Sequence, residues 1–243
     1  MFRAAIREIA ADKIAPVAAE VDEQAEFPRA AYAALKAADF HAPHIPEEYG
    51  GVGADALAVV IIVEEIARVC ASSSLIPAVN KLACVPLMLV GSEQVKQTYL
   101  PRVARGEGLI SYCLSEPDAG SDVAGMKARA VRDGDDWVLT GTKAWISNAG
   151  ESDYYTVFAS TEPDLQARGI SCFMVNKSDE GVSFGAKEKK LGWNASPTAQ
   201  VILDNVKVPV ENRVGAEGDG FRFAMAGLDG GRINIGACSL GGA

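Results

Sequence analysis

From Met1 to about Gly108 the apolar positions recur with helical spacing. Phe2, Ile6, Ile9, Ile14, Val17 and Val21 share one broad face at about 100° per residue. Pro16 interrupts that stripe and predicts a kink or a restart, because it lacks the N–H and its ring crowds the preceding turn. Further helices are predicted over Arg29–Ala38, over Leu57–Val69 with Glu64, Glu65 and Arg68 on the wet side, around Pro77–Val90 and over Glu93–Arg105. A loop with Pro43, Pro46, Gly50, Gly51 and Gly53 precedes the third helix. Such a run of helices with short loops predicts an N-terminal all-α domain over 1–108. From Leu109 the texture changes to short apolar runs: Leu109–Leu114, Trp137–Thr140, Tyr154–Ser160, Ile170–Val175 and Ala199–Leu203 read as strands. Asp133-Gly134-Asp135, Glu162-Pro163-Asp164 and Asp204-Asn205 separate them with turn chemistry. Strands without intervening helices predict a central antiparallel β-barrel or sandwich over 109–215, giving an α+β multidomain chain. From about Glu217 helical character returns with Phe221, Phe223, Ala224, Met225 and Leu228, and the chain stops inside a helix of small residues, Arg232 to Ala243. With no cap there, 216–243 reads as the start of a truncated helical bundle.

Composition narrows the possibilities. The 243 residues carry 23 basic and 32 acidic side chains, a net charge of −9. No Lys/Arg run exceeds Lys189-Lys190, so no basic patch for nucleic acid is visible. Uncharged stretches are short, Val69 to Asn80 being 12 residues, too short to span a bilayer, so no membrane helix is expected. The 5 cysteines are scattered and the 2 histidines, His41 and His44, flank Pro43, which builds no zinc site and predicts core thiols instead. Arg3, Arg7, Glu8 and Asp12 break any apolar leader, making cytoplasm the expected compartment.

Gly51-Val52-Gly53-Ala54-Asp55-Ala56 matches the dinucleotide fingerprint on paper. The segment entering it, Pro46-Glu47-Glu48-Tyr49, is polar and broken by proline, so the strand that fingerprint requires is missing and a plain loop is predicted. No G-x-S-x-G and no phosphate-cradling G-x-x-x-x-G-K-[ST] exists, which removes the serine hydrolases and nucleotide triphosphatases built on them. Two segments remain. Tyr112-Cys113-Leu114-Ser115-Glu116-Pro117-Asp118-Ala119-Gly120-Ser121-Asp122 reads as a strand entering a turn that offers hydroxyls and backbone N–H groups to a planar ligand or, more blandly, to solvent. Lys143-Ala144-Trp145-Ile146-Ser147-Asn148 sets an indole beside a hydroxyl at a strand end, where packing and ligand stacking are both open.

These two segments resemble the flavin-binding signatures of the acyl-CoA dehydrogenase family, roughly Y-C-L-[ST]-E-P-x-A-G-S-D and K-x-W-I-[ST]-N, in the same order and about thirty residues apart. Ile14-Ala15-Pro16, Pro46 to Gly51, Gly169-Ile170-Ser171, Leu191-Gly192, Ser196-Pro197-Thr198, Val208-Pro209 and Gly218 to Phe221 extend the resemblance along the chain. It implies a helical, β, helical fold and the FAD-dependent oxidation of an acyl-CoA to its enoyl form. It also implies that Tyr112, Cys113, Leu114, Ser115, Glu116, Pro117, Asp118, Ala119, Gly120 and Ser121 line FAD, with Trp145, Ile146 and Ser147 over the ring. Ser121, Asp229, Gly230, Gly231 and Arg232 are implied as substrate contacts. An electron-transferring flavoprotein as acceptor and a homotetramer when complete follow from the same resemblance, with the mitochondrial matrix as the compartment if the source is eukaryotic.

The sequence departs from the family in two places. The catalytic glutamate of most members lies beyond residue 243, and the alternative position just before Arg232 holds Gly231, so no catalytic base is assigned. The R-x-x-F-G segment of the C-terminal region is absent too, which reads as a C-terminally incomplete chain expected to give weak flavin binding and no turnover alone. Gly181 to Gly185, Glu188 to Asn194, Gly230 to Ile235 and Cys238-Ser239-Leu240 look most like isobutyryl-CoA dehydrogenase of valine breakdown, pointing to a short branched acyl group. One methylene is worth only ~1–3 kcal/mol of discrimination, which leaves neighbouring short-chain substrates open. Other readings are an inactive truncated relative acting as a binding or assembly module, and an oxidase or monooxygenase on the same fold.

Overall fold

The structure is a computed structural model and describes residues 2–243. The first helical stretch is α1 (Phe2–Ile9), a π turn (Ala10–Ile14) and α2 (Ala15–Gln24), so the predicted break falls just before Pro16. The N–H of Ala15 reaches back to the Ala10 carbonyl, which widens the turn where the proline ring would otherwise crowd the chain. Helices α3 (Arg29–Ala37), α4 (Ala56–Ala67), α5 (Ala71–Val90) and α6 (Glu93–Ala104) follow. Asp55 caps α4 by accepting from the Ala58 N–H at 2.8 Å. The turn before it (Glu47–Tyr49) is 3₁₀ and no strand enters, so the glycines here shape a loop. A Cβ on Gly51 would lie 2.0 Å from the Ile45 carbonyl oxygen, and only glycine permits that approach.

Two expectations are corrected in this layer. Glu65 is not on the wet side of its helix: it is buried, and Arg3, Arg7 and Arg68 converge on its carboxylate. Arg7 contributes two bonds, at 2.6 and 3.1 Å, which tie α1 to α4 across some sixty residues of sequence. The count of uncharged residues also missed α5, which with Lys81 as its one charged residue is long and apolar enough to cross a membrane by length and composition. In this structure 67% of that window is buried by neighbouring elements, the environment of a core helix.

The strands are β1 (Ile110–Cys113), β2 (Arg129–Asp133), β3 (Asp136–Ser147), β4 (Tyr154–Ser160), β5 (Ile170–Asn176), β6 (Val182–Phe184), β7 (Thr198–Pro209) and β8 (Arg213–Val214). They form one path, β6-β7-β3-β2-β4-β5-β8, with β1 also on β4. The barrel does not close, and the sheet is mixed rather than antiparallel, because β1 and β2 both run parallel to β4. The β2–β3 hairpin lies inside the β1-to-β4 connection and supplies the long crossover that parallel pairing needs.

Strand β4 is buried on both faces, and its alternation divides it between two cores. Tyr154 and Phe158 join Leu87, Leu100 and Val103 of the helical layer, whereas Tyr155 and Val157 face Leu139, Val201 and Val208 of β3 and β7. The last element, α7 (Gly220–Gly242), packs on α4 and α5. Ala237 and Cys238 enter a cluster with Val59, Val63, Leu75 and Val79, while Ile233 and Leu240 remain exposed.

Candidate functional site

Strand β3 slips register between Lys143 and Ile146 as it runs along β7, leaving Ala144 and Trp145 in a bulge. Trp145 takes φ +61°, a left-handed conformation that a bulky side chain adopts at a cost, and the residue is 62% exposed. The Ala144 N–H donates to the Ser115 carbonyl at 2.9 Å, so the bulge is fastened to the end of β1. The two sequence segments thereby meet.

A buried ion pair fixes that junction. Lys143 Nζ donates to Glu116 Oε1 at 2.8 Å and to the Leu114 carbonyl at 3.1 Å. Glu116 also accepts from the backbone N–H groups of Lys127 and Ala128, at 2.6 and 3.1 Å. The two side chains are 0% and 4% exposed. Burial pulls the Lys143 ammonium pKa down, against the opposing pull of Glu116. Every partner is supplied by the two segments and the chain between them, so this pair is a staple.

Beside the bulge lies a cavity of about 210 Å³ bordered by Tyr112, Leu114, Ser115, Gly120, Trp145, Ile146 and Ser147, with Val79 and Leu82 of α5 and Leu228 of α7 opposite. A second cavity, about 180 Å³, shares Val79, Leu82 and Ser147 and continues along the α5–α7 seam past Gly231 to Asn234. Its other wall includes Lys190 and Thr198. Lys190 donates to the Ser196 carbonyl at 2.7 Å, and burial lowers its pKa. Tyr112 donates to the Ala224 carbonyl at 2.9 Å, tying β1 to α7, and burial pushes its phenol pKa up.

Of the residues expected at the site, Tyr112, Leu114, Ser115, Gly120, Trp145, Ile146 and Ser147 border the first cavity together, and Gly231 borders the second. Cys113 instead points into the core with Leu139, Val157 and Val201, and Ala119 into the core under the helices. Glu116 faces Lys143, Asp118 pairs with Lys127 at 2.8 Å in solvent, and Pro117 and Ser121 are exposed. Asp229 and Arg232 pair with each other at 3.1 Å on the wet face of α7, and nothing lies within 4 Å of a Cβ built on Gly230. Val79, Leu82, Leu228 and Asn234 were not foreseen as site residues. The three apolar ones give no local signal, because a helix residue lining a cleft has the same spacing as one lining a core. All 5 cysteines are free and buried, and no group of metal ligands occurs among the described residues.

A helical layer stands against an open sheet, with an exposed Trp145 and the residues Ser115 and Ser147 bordering a cavity that has an apolar opposite wall. Comparison with known proteins gives the family. The profile of the acyl-CoA dehydrogenase N-terminal domain matches residues 1–107, and that of the middle domain matches 111–206. The chain is 54% identical over 240 residues to a Mycobacterium leprae protein named "Probable acyl-CoA dehydrogenase fadE25", covering 99% of this chain and 62% of that protein. It is 39% identical to a mitochondrial isobutyryl-CoA dehydrogenase of Dictyostelium discoideum and 42% identical to a mitochondrial short-chain specific acyl-CoA dehydrogenase of Sus scrofa, covering 58% and 59% of them and 100% and 99% of this chain. Among solved structures, a Mycobacterium smegmatis glutaryl-CoA dehydrogenase in complex with FADH2 superposes with a TM-score of 0.90 at 30% identity, over 99% of this chain and 61% of that one. The chain belongs to the acyl-CoA dehydrogenase family, oxidoreductases acting on CH–CH donors. It spans less than two thirds of the length of these relatives.

Proposed function

We propose that this chain is the FAD- and acyl-CoA-binding part of a dehydrogenase that converts a short acyl-CoA, isobutyryl-like in size, to the enoyl-CoA. One observation carries the reading: the Trp145 indole stands uncovered beside a cavity bordered by the Ser115 and Ser147 residues. A buried indole is worth 150–250 Å² of contact, so leaving this one open in a left-handed backbone fits a ring system that covers it. Tyr112, Leu114, Ser115 and Gly120 would hold the pyrimidine edge of FAD, Trp145 and Ile146 would cover one face, and Ser147 would reach its N5 side. FAD, when bound, supplies the two-electron acceptor for the departing hydride.

The protein's own contribution is position and dryness. Val79, Leu82 and Leu228 form an apolar wall opposite the hydroxyls, where an acyl chain is held and water excluded. No carboxylate borders either cavity among the described residues, and Glu116 is committed to Lys143, so neither it nor Asp229 serves as the base. The proposal keeps that role with the family's C-terminal glutamate, along with Ser121 and Arg232 as contacts of the CoA arm. It likewise carries the division into 1–108, 109–215 and 216–243, a cytoplasmic or matrix setting, a homotetramer and an electron-transferring flavoprotein as acceptor.

Flavin titration of the purified chain, followed under nitrogen by isobutyryl-, butyryl- or octanoyl-CoA, tests the reading. Weak but saturable uptake of FAD and tighter binding of the short thioesters are the expected results. Failure to take up flavin refutes the cofactor half, and an octanoyl preference refutes the substrate half.

A further inference from the structure

One face of α5 borders three cavities in succession. Ser72, Leu75, Val79 and Leu82 fall within about 80° of arc at 100° per residue, along about 15 Å of helix. Val79 and Leu82 border the first cavity, and Leu75 joins them at the second. Ser72 borders a third, of about 580 Å³, whose other wall is Ala15, Ala18 and Asp22 of α2. The first and second cavities have Val79, Leu82 and Ser147 in common, whereas the second and third have only Trp193 in common. That residue belongs to neither helix. It stands in the loop between β6 and β7 with φ +52°, a strained left-handed position for so bulky a side chain. The backbone after it is fastened. Asn194 donates its N–H to Asp22 Oδ1 at 3.0 Å and its side-chain amide to Oδ2 at 3.2 Å, and the Ser196 N–H donates to the Trp193 carbonyl at 3.0 Å. The residues before it reach into solvent: Leu191 is fully exposed, and nothing lies within 4 Å of a Cβ built on Gly192.

We propose that Trp193 is a specificity-determining residue: its side chain stands between the second cavity and the third, limits the acyl group to a short one, and on removal joins the two and admits longer chains. The inference rests on the acyl-CoA reading above and adds to it the residue that sets the length. The volumes fit. An apolar cavity of about 150 Å³ holds a six-carbon ligand the size of benzene, so about 180 Å³ suits a short acyl group and is full before an octanoyl chain is accommodated. The third cavity, lined by Ala15, Ala18, Val69 and Ala71 among others, offers apolar room for the remainder. Because the limit is carried by a loop and not by α5 or α7, changing it leaves the packing of that helix pair in place. The two bonds from Asn194 to Asp22 make the limit firm, since they hold the loop against α2.

The test is calorimetric binding of butyryl-, hexanoyl-, octanoyl- and decanoyl-CoA to the FAD-supplemented 243-residue chain as wild type, Trp193→Ala and Trp193→Phe. The wild-type chain is expected to bind octanoyl-CoA more weakly than butyryl-CoA. Each methylene that newly finds an apolar place gains about fourfold. Trp193→Ala is therefore expected to tighten octanoyl-CoA at least tenfold relative to butyryl-CoA, with butyryl-CoA itself unchanged. Trp193→Phe, which keeps a ring and gives up about one methylene of length, is expected to move the same ratio about fourfold. A wild-type affinity that climbs steadily through decanoyl-CoA shows that nothing limits the chain and overturns the proposal without any variant. A folded Trp193→Ala chain that binds butyryl-CoA and keeps the wild-type order overturns it too, as does an equal loss at every length, the mark of a packing role. If Trp193→Ala does not fold, an unchanged ratio in Trp193→Phe overturns it. If no thioester of any length binds the wild-type chain, the acyl-CoA reading itself falls and takes this inference with it.

Discussion

Replacing Lys143 by methionine strikes the staple that holds the two site segments together. The substitution keeps the length of the side chain and removes the charge and the donors, leaving Glu116 ionised inside the protein at 4% exposure. Removing one partner of a buried pair costs about 3–5 kcal/mol, because the remaining charge is stranded. Glu116 would keep two backbone donors, the N–H groups of Lys127 and Ala128, which places the expected loss near the lower end, about 3 kcal/mol. For a chain of this size that corresponds to a melting temperature lower by roughly 6–12 °C. The double variant Glu116→Gln/Lys143→Met removes both charges while the glutamine oxygen can still accept from the backbone. It should recover most of the loss, settling within about 1 kcal/mol of wild type. Urea midpoints for the two single variants and the double variant close the cycle. A Lys143→Met chain as stable as wild type, or losses that simply add in the double variant, would refute the claim that the pair is coupled and buried in solution.

Other substitutions separate binding from folding. Trp145→Gly should relieve the left-handed strain and leave stability equal or raised by about 1 kcal/mol, yet reduce FAD retained per folded chain; a loss of stability with flavin retained would return the indole to a packing role. Gly51→Ala should destabilise by roughly 1–3 kcal/mol, since its Cβ would stand 2.0 Å from the Ile45 carbonyl oxygen, without changing the FAD affinity of the folded fraction, as fluorescence titration of the soluble chain would show. Hydrogen bonds from Arg7 hold the Glu65 carboxyl down to about 2 from an ordinary 4.5. Its folded pKa is depressed, so its stabilisation is complete above about 4.5 and is lost as pH falls towards about 2. Urea midpoints of wild type and Glu65→Gln should therefore converge across that window, and a constant gap would refute the assignment.

Where local pattern decides structure, the sequence was readable. The Arg29–Ala37 helix, the Asp133-Gly134-Asp135 turn and the loop at Gly51 all follow from spacing and residue type within a few positions. Asp204-Asn205 reads as a turn but lies inside β7, Asn205 taking φ +53° where the register with β3 shifts. The failures share one cause, partners far away in sequence. Glu65 has the helical position of a solvated acid, and only the return of α1 with Arg3 and Arg7 buries it. The parallel pairing of β1 with β4 depends on a hairpin inserted between them, which alternation within either strand does not encode. Strand β2 was missed because only Ala130 of its five residues is buried, leaving no apolar run to see.

The site motifs were legible as motifs but not as a division of labour. A conserved-looking string treats Glu116 and Trp145 alike, whereas the fold sends them opposite ways: the carboxylate inward to Lys143, the indole outward to the cleft. These two placements are linked. Lys143 turns inward to Glu116 and the Leu114 carbonyl, and the register slip that begins after it leaves Trp145 exposed. The left-handed Trp145 therefore sits two residues from an ion pair that borders neither cavity. In such a segment the most buried, most polar residues set the geometry, and contact falls to exposed neighbours that would look expendable by burial alone.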